Sequence, residues 1–149
     1  MGSNFTAIYD ACVLYPAPLR DLLMQLALSD LYQARWTEKI HEEWMRNVLE
    51  NRPDLSEEQL TRTKNFMDRS VRDCLIEGYE FIIPSLNLPD PDDRHILAAA
   101  IKGQADIIVT MNLKDFPNSI LGEYEIQAQH PDIFIQSISN MSSLFVSIY

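Results

Sequence analysis

Acidic side chains recur in this sequence just beyond short apolar runs. Asp10 follows Phe5–Tyr9 (FTAIY). Asp90, Asp92 and Asp93 come after Tyr79–Ile83 (YEFII) and a proline-rich connection, and Asp115 lies shortly after Asp106–Thr110 (DIIVT), with Asn112 between them. Carboxylates brought to one edge repel: two unit charges about 4 Å apart cost about 4 kcal/mol at an effective dielectric near 20. Such a cluster is tolerable when some members are protonated or a cation sits among them. Hard oxygen donors select Mg2+ or Mn2+ over zinc. A divalent ion so held activates water and steadies the charge on a phosphate.

Each acid has a structural alternative. Asp10 could simply cap the turn after its strand. Asp90-Pro-Asp-Asp93 is a good helix start, because acids favour helix N-termini. Asp93 shares a helix face with Ile96, Leu97 and Ala100, whereas Asp92 faces His95, Ile96 and Ala99; the inward face makes Asp93 the preferred candidate. On a helix from Thr37 to Asn51, Glu43 and Glu42 flank the apolar stripe of Ile40, Trp44 and Val48 on opposite sides, and helical spacing does not choose between them.

The elements that must position these residues alternate between strand and helix. Strands are expected at Phe5–Tyr9, Gln33–Trp36, Tyr79–Ile83, Asp106–Thr110 and near Glu123–Gln127. Helices are expected from Pro18 to about Ser29, from the N-cap Thr37 to Asn51, and from the capping box Ser56-Glu-Glu-Gln59 to Gly78 as its terminating glycine. Another runs from Asp92 or Asp93 through Ile101, and a last short helix starts at Pro131. Near-continuous apolar strands alternating with helices imply a parallel sheet covered on both faces. Ligands of such sheets bind outside the carboxyl ends of the strands, where the acids fall. The stretch 139–149 lacks clear helical period and carries no charge, which reads as an irregular or frayed tail behind a single domain over 1–138, with a truncated helix or a self-association surface as alternatives.

Composition narrows the function further. The 149 residues, 46% hydrophobic and 23% charged, suit one globular domain. Twelve basic against 22 acidic side chains give a net charge of −10, which excludes a basic surface that attracts nucleic acid or anionic membrane by itself. Any phosphate chemistry then needs a metal for positive charge. Arg62, Lys64, Arg69 and Arg72 on one helix read as a solvated face. His41, His95 and His130 have no metal-ligand spacing and read as surface or capping residues. Trp36 and Trp44 read as core. Cys12 and Cys74 form no C-x-x-C pair and nothing forces a disulfide. There is no Gly-rich phosphate loop and no G-x-S-x-G elbow. No signal peptide or membrane span is evident, and a reducing cytoplasm is the expected setting. A haloacid-dehalogenase-type phosphatase would want a second Asp two residues after Asp10, where Cys12 stands.

Four segments in order resemble the motifs of PIN-domain nucleases, VapC-like toxins among them. They are Tyr9-Asp10-Ala-Cys-Val-Leu-Tyr-Pro, Glu43-Trp-Met-Arg-Asn-Val-Leu, Asp-Pro-Asp-Asp93-Arg-His-Ile-Leu-Ala-Ala-Ala, and Ile-Val-Thr110-Met-Asn112-Leu-Lys-Asp115-Phe. The resemblance covers roughly residues 5–128. It implies an α/β fold, a three-layer α/β/α sandwich with a mostly parallel central sheet of four to five strands. It also implies an Mg2+- or Mn2+-dependent endoribonuclease acting on RNA, toxin of a toxin–antitoxin pair, silenced by a cognate antitoxin protein and commonly a homodimer. Carried over to this sequence, it selects Glu43 over Glu42 and Asp93 over Asp92. Asp10, Glu43 and Asp93 would hold the metal. Asp115 would complete the catalytic set, with Thr110 and Asn112 positioning water or substrate. Two positions depart from the pattern: Cys12 stands where Asn or Ser is usual, and Asn112 where many members have Asp. Asn offers a carbonyl oxygen but no charge. A PIN-fold binding or regulatory module with weak or no catalysis is the alternative expectation.

Overall fold

The computed structural model describes the backbone of residues 5–148 and the side chains of 5–141. Strand β1 (Thr6–Tyr9) leads into a one-turn helix α1 (Ala11–Leu14) and then α2 (Ala17–Ala27). Strand β2 (Gln33–Arg35) precedes the helical pair α3 (Glu38–Asn51) and α4 (Glu57–Ser70). Two 3-10 turns, Glu80–Ser85 and Pro91–Asp93, lead into α5 (Arg94–Lys102) and β3 (Ile107–Val109). A 3-10 turn at Leu113–Asp115, the short α6 (Asn118–Leu121) and another 3-10 turn come next. Strand β4 (Gln127–Gln129) and α7 (Pro131–Ile148) complete the chain.

The four strands are parallel in the order β2-β1-β3-β4. Ala7, Ile8 and Tyr9 are successive residues pointing to opposite faces, and none has any exposed surface. Only a sheet with helices on both faces buries consecutive residues this way, and the fold is the expected three-layer α/β/α sandwich. The chain leaves β1 toward β2 on one side and later returns to its other side with β3. The reversal of strand order therefore lies between β1 and β3, where open α/β sheets form their binding crevice.

Local chemistry sets the helix starts. Thr37 caps α3 by accepting from the Ile40 N–H at 3.0 Å. Ser56 and Gln59 close the capping box of α4. The face carrying α7 is pinned by aromatic packing: Phe134 meets Phe5, Tyr9 and Tyr32 edge-on at centroid distances of 6.4, 6.4 and 5.1 Å. Tyr9 and Tyr32 share a short hydroxyl–hydroxyl bond, and Tyr9 also donates to the Leu23 carbonyl at 3.1 Å. Each such buried ring contributes on the order of 1.5–3 kcal/mol.

Five sequence expectations are corrected. Tyr79–Ile83 is no strand but runs into the 3-10 turn Glu80–Ser85, which carries Pro84; a proline cannot donate to a sheet ladder. The place beside β2 goes to a single parallel bridge, Trp36 to Leu75. Trp36 donates to Cys74 and its carbonyl accepts from Ile76, at 2.8 and 2.9 Å. That bridge ends α4 at Ser70, because Val71 must already be extended; Gly78, at φ +70°, turns a later loop and is not the helix terminator. The strand expected near Glu123–Gln127 begins only at Gln127, after Glu125 adopts a left-handed conformation at φ 58°. The last helix is not short, and over 139–148 its backbone continues as α7 where an irregular tail was expected. Tyr149 lies outside the described residues.

Candidate active site

Register decides the first contact. Tyr9 pairs with Val109 across β1 and β3, so the next residues, Asp10 and Thr110, leave the sheet side by side. The Asp10 N–H donates to the Val109 carbonyl at 3.0 Å, and the Thr110 N–H to the Gln129 carbonyl at 3.0 Å. Asp10 is only 6% exposed, and its carboxylate is bonded from its own turn and from the neighbouring strand exit. Oδ1 accepts from the Ala11 N–H at 2.7 Å, and Oδ2 accepts from the Thr110 hydroxyl at 2.9 Å and from the Cys12 thiol at 3.5 Å. Asp10 thus caps α1 and also presents an oxygen at the switch point. Burial pushes its carboxyl above the usual range, with the Glu43 charge adding to it, while the bonds from Thr110, Cys12 and Ala11 oppose the rise.

The Cys12 thiol spans the two strand exits. Its sulfur accepts from the Met111 N–H at 3.4 Å and lies 3.6 Å from the Thr110 hydroxyl. Burial first, and then the Asp10 charge, push the thiol up to about 12. Asn112 is exposed, and its backbone N–H donates to the Thr110 hydroxyl at 3.0 Å.

In the third segment Asp90, Asp92 and Asp93 have different surroundings. Asp90 is the capping residue, accepting from the Asp92 N–H at 2.9 Å. Asp93 makes no capping bond and Asp92 is exposed. The half-buried Asp93 carboxyl is pushed up to about 7 by burial and by the charges of Asp10, Asp90 and Asp115, with only His95, when protonated, working against them. Asp93 therefore feels acids from two strand exits as well as from its own turn. Asp115, half-buried at the end of the 3-10 turn Leu113–Asp115, is held by its N–H donating to the Asn112 carbonyl at 3.0 Å.

On α3 the two glutamates diverge. Glu42 is exposed and lines a groove of about 530 Å3 between α3 and α4, with Glu38, Met45 and Lys64. Glu43 is half-buried, and its Oε2 lies 3.1 Å from His95 Nε2. The reading of His95 and His41 as surface or capping residues is corrected. His95 is 3% exposed and His41 is 1% exposed. His41 bonds Asp68 at 2.9 Å and accepts from the Trp44 indole at 2.9 Å. Both rings lie on the inward side of helices whose apolar stripes contain them, a signal that metal-ligand spacing does not register. His130 does cap, its Nδ1 accepting from the Asp132 N–H at 3.1 Å. Cys12 and Cys74 are free thiols.

Asp10, Thr110, Cys12, Asp93, Asp115 and the Glu43–His95 pair thus meet around the β1/β3 switch point. Among the described residues no three His, Cys, Asp or Glu side chains form a ready-made metal cage. Mg2+ does not require one: it keeps several waters and is held by one or two carboxylates, completed by substrate phosphate. The candidate ligands Asp10, Glu43 and Asp93 offer oxygen alone, and the burial and neighbouring charge that raise the Asp93 carboxyl are what a cation would offset. The residues present fit a small divalent ion. Among the described residues no helix is long and apolar enough to cross a membrane.

Comparison with known proteins places the chain in a family. Over 58 residues the chain is 48% identical to "Putative ribonuclease VapC50" of Mycobacterium tuberculosis (strain ATCC 25618 / H37Rv). That match covers 39% of this chain and 34% of the relative, so the chain matches about a third of the relative's length. Residues 6–114 match the PIN domain, a span that includes Asp10, Glu43, Asp93, Thr110 and Asn112. The match covers most of the chain and every strand but β4; the chain belongs to the PIN-domain family.

Proposed function

We propose that this protein is a metal-dependent endoribonuclease that hydrolyses RNA phosphodiester bonds, and that it acts as the toxin of a toxin–antitoxin pair. One observation carries the reading: Asp10 and Thr110 leave neighbouring strands side by side at the switch point of a PIN domain, with the Thr110 hydroxyl bonded to Asp10 Oδ2 at 2.9 Å. The resemblance to a protein named as a ribonuclease supports the choice of substrate. The same reading assigns a protein antitoxin as partner, a homodimer as the assembly and the cytoplasm as the setting.

Asp10, Glu43 and Asp93 would hold Mg2+ or Mn2+. When bound, the ion supplies positive charge to the scissile phosphate and lowers the pKa of a coordinated water. Thr110 holds Asp10 Oδ2 in place from across the sheet. Asp115 would take the proton of the attacking water as the water oxygen bonds to phosphorus; the bond to the leaving sugar oxygen would break in line, and that oxygen would take up a proton from solvent water. Asn112 orients water or phosphate through its amide without adding charge. The overall charge of −10 gives RNA no long-range attraction, so affinity depends on that local ion.

The test is cleavage of RNA by the purified protein in Mn2+, with and without EDTA, for the wild type, Asp10→Asn and Asp93→Asn. The expected result is EDTA-sensitive cleavage that falls by two or more orders of magnitude in both variants, the scale of a lost catalytic electrostatic group. Equal activity in Asp10→Asn would overturn the assignment.

A further inference from the structure

The Glu43–His95 contact has a feature that neither packing nor capping explains. His95 sits on α5, two residues past Asp93, and is almost wholly buried. Its Nε2 lies 3.1 Å from Glu43 Oε2, while its Nδ1 is buried with no hydrogen-bond partner. An unpaired buried polar atom costs about 1–3 kcal/mol. A ring serving only to fill space would be replaced at lower cost by an apolar side chain.

The geometry fixes the tautomer. With the proton on Nδ1, a buried N–H would lack an acceptor and the Nε2 lone pair would face a carboxylate oxygen. With both nitrogens protonated, the same buried N–H would be stranded. The arrangement with the fewest unmet demands has a proton on Nε2, donated to Glu43. That bond occupies Oε2 and leaves Oε1 without a hydrogen bond. Because His95 follows Asp93 by two residues at the start of α5, this contact sets the Glu43 carboxylate on the side of α3 that faces the start of α5.

Resting on the nuclease reading above, we infer that His95 is a positioning residue. Its Nε2–H holds the Glu43 carboxylate in one rotamer, with Oε1 directed at the divalent-ion site. A glutamate on a helix has three rotatable side-chain bonds, and fixing it in advance removes an entropic cost that ion binding would otherwise bear. Carboxylate ligands of metal sites are commonly oriented in this way by a hydrogen bond from behind. The histidine also joins α5, which carries Asp93 at its start, to α3, which carries Glu43. Two carboxylates from distant parts of the chain are thereby held at a common distance.

The experiment compares the wild type, His95→Leu and His95→Gln, the glutamine amide standing where Nε2 stands. Three measurements are made: 15N NMR of the imidazole in the wild type, Mn2+ binding by calorimetry with the metal alone, and RNA cleavage in Mn2+. The expected spectrum shows a protonated Nε2 and an unprotonated Nδ1. His95→Leu is expected to weaken Mn2+ binding and lower kcat by about 10–100-fold, with KM little changed, and His95→Gln to recover most of both losses. A proton on Nδ1, a His95→Leu variant equal to the wild type, or a His95→Gln variant as impaired as His95→Leu would each overturn the inference. If the wild type binds Mn2+ in the expected pattern but cleaves no RNA, the nuclease reading falls and the positioning of Glu43 stands. If the wild type cleaves RNA and all three proteins do so equally, the positioning role alone falls.

Discussion

The Thr110 hydroxyl donates to Asp10 Oδ2 at 2.9 Å, joining residues 100 positions apart at the ends of two neighbouring strands. Thr110 has no exposed surface, and its oxygen accepts in turn from the Asn112 N–H. The bond therefore links the buried acid to the loop that carries Asn112 and Asp115.

Thr110→Val keeps the shape of that side chain and removes the donor. The Asp10 carboxylate then stays buried with one partner fewer, and the Asn112 N–H loses its acceptor. The expected loss of stability is about 1–3 kcal/mol by urea denaturation at pH 7. Because the lost bond is one that lowers the Asp10 pKa, the acid limb of the pH–activity profile should move upward. A variant with unchanged stability and an unmoved profile would show the bond to be idle.

Asp93 makes stability depend on pH in an unusual direction. Its folded-state value of about 7 lies above the ordinary carboxyl value of about 3.9. Between those two values the folded state binds more protons than the unfolded state, so stability falls as pH rises. The loss begins near pH 4 and is complete a little above pH 7. Asp93→Asn, which cannot ionise, should raise Tm more at pH 8 than at pH 5. After allowance for solvent screening of a half-exposed group, the gain at pH 8 is about 1–2 kcal/mol. Millimolar Mn2+ should stabilise the wild type at pH 8 and not Asp93→Asn, as scanning fluorimetry would read directly.

Both cysteines should be inert while the protein is folded. Burial pushes Cys12 up to about 12 and Cys74 up to about 11, and the thiolate is the reactive form. Iodoacetamide at pH 8 should leave the native protein unmodified over a time in which the urea-unfolded chain takes up two labels, counted by mass spectrometry. Rapid labelling of Cys12 in the native state would contradict the burial described at the site.

Asp68 holds a second polar network whose role is structural. Its Oδ1 accepts from the Trp36 indole at 2.8 Å and bonds His41 Nε2 at 2.9 Å, and His41 Nδ1 accepts from the Trp44 indole. Asp68→Ala strands the Trp36 indole N–H and the His41 ring nitrogen, at an expected cost of about 2–4 kcal/mol. Asp68→Asn keeps the Oδ1 acceptor and should cost less. Neither change touches the residues at the β1/β3 switch point, so activity per folded molecule should be retained while Tm falls.

Periodicity and capping chemistry carried much of this fold. The capping box at Ser56, the N-cap at Thr37 and the buried runs of β1 and β3 are local patterns, and local patterns survive folding when packing agrees with them. Where packing disagreed, the local reading failed. Tyr79–Ile83 has the composition of a strand, but the bridge between Trp36 and Leu75 occupies the place beside β2, and Pro84 turns the segment into a 3-10 helix.

For the site, sequence alone determined which acids follow strands or open helices, and that no basic surface or phosphate loop stands in for a metal. Residue types and spacing could say no more, because a carboxylate that caps and a carboxylate that binds look identical along the chain. The tertiary structure gives them different surroundings: Asp90 makes the capping bond that Asp93 does not, and His95 contacts Glu43 while Glu42 turns to another groove. The burial and neighbouring charge that raise Asp93 to about 7, and the packing that buries His41 and His95, depend on what the fold brings within a few ångströms, and no one-dimensional pattern contains that distance.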